Sequence, residues 1–262
     1  MIGYEPNPDQ APRAIRLKVG VINPLLKHTG KCVTQVFWYN ARRESLGSTS
    51  LINILLKKEE IMTVLVGKKA PDFTAAAVLG SGEIVGDYSF LAATEGKYRV
   101  IFFYPLDFTF VCPSELISMD HRIEEFAKRN VEVVGVSIDS QFTHNAWRNT
   151  PVNQGGIGPV KYTLVADVKH SICQAYGIEL EGAGVALRAT FLIDKDGLVR
   201  HQVVNDLPLG RSHDELLRVV DALQFHEEHG EVCPAGWQKG DAGMTATPNG
   251  VAEYLAGNAD KL

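Results

Sequence analysis

Four cysteines punctuate the 262-residue chain: Cys32, Cys112, Cys173 and Cys233. Cys112 stands in "PLDFTFVCPSE", residues 105–115, directly before Pro113, where an apolar strand gives way to a helix. The thiolate, not the thiol, is the nucleophile. At the amino end of a helix, unpaired N–H groups and the positive end of the dipole both favour the anion. An ordinary thiol is about 3% ionised at pH 7. Full ionisation therefore gains about thirtyfold, at most about 2 kcal/mol of barrier. A larger acceleration needs donors that hold the substrate and the departing charge. Thr109, three residues earlier, offers a hydroxyl, and Pro105 would shape and dry the pocket floor. The best-placed cation is Arg188 in "ALRATFLID", at the start of a strand after a Gly-rich loop. A buried cysteine otherwise behaves as a small hydrophobe. Cys173, in "HSICQAYG" beside Ile172 and Tyr176, fits that description. Cys233, in the turn-rich "EVCPAGW", does not. Cys32 receives no role.

Composition narrows the class. The chain is 45% apolar and 22% charged, with a net charge of −5, ordinary for a globular protein. No Lys/Arg stripe or basic tail points to nucleic acid. No run of eighteen apolar residues predicts a membrane helix, and a cytoplasmic location is expected. The cysteines are too few and too far apart for the framework of a small secreted domain. No Cys-x-x-Cys suggests a zinc ribbon or a single-chain dithiol. "HEEH" at 226–229 has histidines at i, i+3, whereas a zinc-protease helix needs i, i+4. It reads as a solvated helix end. "GGIGP" and "EGAGVA" lack the settings of phosphate and dinucleotide loops. No metal and no bound organic cofactor is expected.

The elements that must position Cys112 begin near residue 62. Residues 1–61 hold nine Lys/Arg and five Asp/Glu, a net of +4 that leaves −9 for the remainder. They show no sustained period. "KKEEIM" precedes the regular text, and codons for Lys58-Glu59-Glu60 can spell a purine-rich ribosome-binding sequence ahead of Met62. The expectation is an N-terminal extension over 1–61, either disordered or a mis-assigned start, with the true start at Met62. One folded domain then spans 62–225, and a C-terminal extension 226–262. After two short strands, "KYRVIFFYPL" reads as a strand buried on both faces. "PSELISMDHRIEEFAKRN" reads as one helix, with Pro113 in its first turn. A strand "VEVVGVSID", helix "SQFTHNAWRNT", strand "YTLVAD" and helix "KHSICQAYG" follow. "RATFLIDKDGLVRHQVVN" is a hairpin turning at Asp196-Gly197. "SHDELLRVVDALQFHEEHG" is a long helix closed by Gly230. This order predicts an α/β protein, a central mixed β-sheet flanked by helices as in the thioredoxin-like fold.

The spacing Pro105-x-x-x-Thr109-x-x-Cys112 is that of the peroxiredoxins. Together, "FYPLDFTFVCPSE" and "EVCPAGW" resemble the typical two-Cys peroxiredoxins, the group that includes the bacterial alkyl hydroperoxide reductase peroxidase subunit. The likeness runs from about Met62 to Leu262. It implies Cys112 as the peroxidatic cysteine and Cys233 as the resolving one. Pro105, Thr109 and Arg188 would complete the active-site set, and Glu115 and Arg211 a supporting charge network. The resemblance further implies reduction of hydrogen peroxide and organic hydroperoxides through a Cys112 sulfenic acid. An intersubunit Cys112–Cys233 disulfide would follow. Thioredoxin or a flavoprotein disulfide reductase would recycle it, in a homodimer assembled as a ring-shaped decamer. "GGIG" at 155–158 matches a loop of members that overoxidise readily, but its usual Tyr-Phe partner is Tyr254-Leu255 here. A peroxide sensor or relay, or a holdase chaperone, could use the same Cys112. A thioredoxin-like exchanger lacks its Cys-x-x-Cys.

Overall fold

The computed structural model describes residues 64–262. The extension 1–61 and the start at Met62 lie outside the described residues. The described residues form nine strands and seven α-helices in chain order. The strands are β1 (Thr74–Val78), β2 (Ile84–Ser89), β3 (Tyr98–Phe103), β4 (Val131–Ser137), β5 (Thr163–Ala166), β6 (Glu179–Leu180), β7 (Val185–Ala186), β8 (Arg188–Ile193) and β9 (Val199–Asn205). The helices are α1 (Phe90–Ala93), α2 (Cys112–Asp120), α3 (Ile123–Lys128), α4 (Gln141–Asn149), α5 (Ser171–Ala175), α6 (His213–His229) and α7 (Pro248–Asn258). Seven strands form one mixed sheet in the order β2-β1-β5-β4-β3-β8-β9, and β6 pairs with β7 alone. Strands β3, β4 and β5 run parallel, and the other pairings in the large sheet are antiparallel. Among the described residues no helix is long and apolar enough to cross a membrane.

Strand β3 is buried at all six positions, Arg99 included, as its almost wholly apolar run predicts. Its side chains alternate between two cores, as a strand's period of two requires. Ile101 and Phe103 join Phe191, Ile172, Cys173 and Tyr176 on one face. Val100 and Phe102 join Leu116, Met119, Trp147 and Val220 on the other. Cys173 is a core residue. Burial pushes its thiol well up, and Asp167 adds to that.

Local chemistry sets the helix ends. Ser212 caps α6 by accepting the Glu215 N–H at 3.2 Å, and Gly230 closes it at φ +69°, a conformation glycine adopts at no steric cost. The hairpin turn places Gly197 at φ +80°. The expected single helix over 113–130 is instead two. It starts one residue earlier, at Cys112, and breaks after Asp120. The Arg122 N–H bonds Met119 O and the Glu125 N–H bonds Arg122 O, i→i−3 bonds that tighten the backbone there. The Arg122 side chain clamps the break by reaching back to Ser118 O at 3.1 Å and out to Asp214. The remaining predicted elements are present within a few residues of their expected ends.

Candidate active site

The end of β3 feeds the segment that carries Pro105 and Thr109, and α2 begins seven residues after Pro105. Strands β3 and β8 pair antiparallel with Phe102 opposite Thr190. Extending that register sets Arg188, the first residue of β8, level with Tyr104. Sheet geometry thus delivers the cation to the edge where the loop meets the helix.

Three predicted residues converge there. Cys112 is fully buried at the first helical position, with Val111 as the preceding cap. Thr109 Oγ1 lies 2.9 Å from Cys112 Sγ and 2.8 Å from Leu106 O. A hydroxyl carries one proton, so these two acceptors share it. Arg188 Nη1 lies 3.3 Å from the same sulfur. A hydroxyl and a guanidinium pointing at one sulfur stabilise negative charge on it. Pro105, buried, stands at the head of the loop. These donors could equally hold a small oxygen ligand and the charge it gains.

Behind Arg188 lies a buried charge network. Glu115 Oε2 accepts from Arg188 Nη1 at 2.7 Å. Arg211 donates to both Glu115 oxygens, through Nε to Oε1 at 2.8 Å and Nη2 to Oε2 at 3.0 Å. The Arg211 backbone N–H adds a third bond at 3.0 Å. Arg211 Nη1 also donates to Phe103 O and Ala189 O, tying β3 to β8. Burial works against the Glu115 carboxylate, but the hydrogen bonds and charge of Arg211, with Arg188 behind, hold it below the usual range. Arg188 Nε donates to Leu207 O at 2.6 Å, so the guanidinium plane is fixed from two sides. Arg188→Lys should keep the charge and lose the fork. The expected result is a fall in kcat/KM of about tenfold to hundredfold for the peroxide that the family resemblance implies, with little change in helix content. An unchanged kcat/KM would show that orientation of this cation is immaterial.

Cys233 is not part of this cluster. It lies half-buried, with its Sγ 3.4 Å from Ala222 O of α6. Burial pushes its thiol up, opposed by the charge of Arg218. A cavity of about 320 Å³ opens beside it, lined by residues that include Leu192, Arg200, Leu223 and His226. All three described cysteines are free. The histidines of "HEEH" are engaged locally: His226 Nδ1 bonds Glu231 O at 2.8 Å, and His229 packs on Phe225. In "GGIG", a Cβ on Gly156 would lie 1.8 Å from Thr150 O, so local packing already requires glycine there.

Sequence reasoning missed two groups beside the loop, Asp107 and His144, whose side chains meet at 2.7 Å in the interior. The available signal was an acid inside an otherwise apolar and aromatic motif.

Known proteins resemble this chain over most of its length. Residues 66–202 match the AhpC/TSA family, and residues 222–257 match the C-terminal domain of 1-Cys peroxiredoxin. The alkyl hydroperoxide reductase C of Helicobacter pylori is 58% identical over 76% of this chain and 100% of its own. Peroxiredoxin-1 of Gallus gallus is 52% identical, over 73% of this chain and 95% of its own. The reduced 2-Cys peroxiredoxin of Plasmodium vivax superposes with a TM-score of 0.71 at 49% identity, covering 74% of this chain and 99% of that one.

Proposed function

The chain belongs to the AhpC/TSA family and is a peroxiredoxin, a thiol peroxidase, and we propose that Cys112 is its peroxidatic cysteine and Cys233 its resolving one. The observation that carries this is the convergence of Thr109 Oγ1 and Arg188 Nη1 on Cys112 Sγ at a helix N-terminus. The Cys112 thiolate attacks one peroxide oxygen, forming an S–O bond as the O–O bond breaks. The sulfur is oxidised by two electrons to sulfenic acid. The leaving alkoxide or hydroxide takes a proton and departs as alcohol or water. Arg188, Thr109 and first-turn N–H groups hold the oxygen that gains charge.

The sulfenic acid then condenses with the Cys233 thiol, forming the S–S bond and releasing water. Cys112 is buried beneath the first turn of α2, where Ser114 Oγ bonds Val111 O at 2.6 Å. That turn opens for the disulfide to form. Cys233 sits against α6 of its own chain, which favours a partner's Cys233 as the resolving thiol. The final helix, α7, has no buried residue in the single chain, and Val251 and Leu255 are exposed, which suits packing on a second copy. Phe108 and Phe110 of the active-site loop and Phe142 of α4 are exposed by 50%, 96% and 67%, large apolar side chains suited to joining dimers into a ring. A second dithiol, thioredoxin or a flavoprotein disulfide reductase, returns both cysteines. Hydrogen peroxide and organic hydroperoxides are the substrates, and the cytoplasm is the location. The sensor, relay and holdase readings use Cys112 without needing Cys233.

The test mixes reduced protein with one equivalent of hydrogen peroxide and resolves it on a non-reducing gel. The expected result is a rapid shift to a covalent dimer in the wild type and none in Cys233→Ser. A dimer that persists in Cys233→Ser, or a wild type that consumes its thiol without dimerising, removes Cys233 from the cycle.

A further inference from the structure

We propose that Asp107 and His144 are a positioning pair that sets the Thr109 hydroxyl against Cys112. The proposal rests on the reading of Cys112 as the peroxidatic cysteine. Residues 104–111 lie outside any strand or helix, so their conformation depends on tertiary restraints. Three hydrogen bonds meet at Asp107. His144 Nδ1 lies 2.7 Å from Oδ2, Tyr104 OH donates to Oδ1 at 2.8 Å, and the Asp107 N–H donates to Asp139 Oδ2 at 2.9 Å. The Asp107 and His144 side chains are both fully shielded from solvent. His144 Nε2 lies 3.2 Å from Val165 O. That carbonyl can only accept, so Nε2 carries a proton and the ring is oriented. The short Nδ1–Oδ2 contact ties α4 to the loop. A buried pair of this kind is costly to break from one side.

What the pair restrains is the next residue. Phe108 has φ +53°, a left-handed backbone that a bulky side chain adopts only where its surroundings over-determine it. Its ring packs on Trp147 at 5.7 Å between centroids. Trp147 lies one turn along α4 from His144. Helix α4 therefore holds the loop on both sides of the strained residue, His144 through Asp107 and Trp147 through Phe108. Thr109 follows directly, and its hydroxyl spans Leu106 O and Cys112 Sγ. If Asp107 is released, Phe108 can relax and Thr109 loses the direction that α4 imposes. A displacement of about 1 Å at a reacting centre can cost about a hundredfold in rate.

A purely structural pair would lower stability without coupling to Thr109. The test is therefore a double-mutant cycle in the full chain. The second-order rate constant for oxidation of Cys112 by hydrogen peroxide is measured by stopped flow for wild type, His144→Asn, Thr109→Val and the double variant. His144→Asn is expected to slow the reaction by about tenfold or more. In the Thr109→Val background the same change is expected to cost less than about twofold, because the group it positions is gone. The proposal is overturned if His144→Asn stays within about twofold of wild type, or if the two losses multiply. If His144→Asn fails to fold, Asp107→Asn takes its place in the cycle, since it preserves shape. A wild type whose fast peroxide reaction survives Cys112→Ser would instead overturn the reading of Cys112 itself.

Discussion

With Cys112 replaced by serine, peroxide consumption is expected to fall by at least about 10⁴-fold. The substitution changes one atom, and the loss has two parts. A serine hydroxyl stays protonated where a thiol can ionise, and oxygen lacks the polarisable lone pairs that attack an O–O bond. The donors would remain, because Thr109 and Arg188 are held by Leu106 O, Leu207 O and Glu115 as well as by the sulfur. Positioned donors without a nucleophile cannot complete the reaction. The measurement is the initial rate of hydrogen peroxide loss under single-turnover conditions, with Cys173→Ser as the comparison. Cys173 lies in the opposite core with its thiol pushed up by burial, so its replacement should leave that rate within about twofold. Residual activity in Cys112→Ser above one part in a thousand would mean that a second thiol reacts with peroxide.

The sequence carried the site further than it carried the detail around it. The strand-to-helix junction at Cys112 was legible because an apolar strand segment is followed by Pro113, a proline that suits a helix start. The placement of Arg188 was legible only as a type of residue at a strand start. What makes it effective is the β3–β8 register and a backbone carbonyl, Leu207 O, 19 positions away. A carbonyl acceptor has no sequence signature. The break after Asp120 was hidden because residues 114–130 contain no Gly or Pro to mark it, and Arg122 at the break is held by a residue of a distant element, Asp214. The Asp107–His144 pair was hidden for a similar reason: the two residues are 37 positions apart and meet only when α4 folds over the loop. Glu115 and Arg211 were named by resemblance, and the structure supplies the physical content. They are 96 positions apart and share three hydrogen bonds.

That network makes Glu115 the position where stability and catalysis should fail together. Glu115, Arg188 and Arg211 have side chains only 3%, 5% and 3% exposed. Glu115→Leu conserves volume but removes the one carboxylate that faces both guanidinium groups. Taking a partner from a buried ion pair leaves an uncompensated charge, which typically costs about 3–5 kcal/mol. The expected result is a urea midpoint lowered by that amount of free energy and a slower peroxide reaction, because Arg188 loses the contact that directs Nη1 toward the sulfur. Stability and activity should then separate in the double variant Glu115→Leu with Arg211→Met. Removing the second arginine's charge together with the carboxylate relieves part of the burial cost, since well-packed apolar groups can replace a buried ionic set with little penalty. The midpoint should recover in part. The rate should not, because Arg188 still lacks its orienting carboxylate. A Glu115→Leu protein destabilised by less than about 1 kcal/mol would mean that water reaches this network and screens it, as at a surface pair. Recovery of the rate along with the midpoint would mean that Glu115 acts on Cys112 only through overall stability.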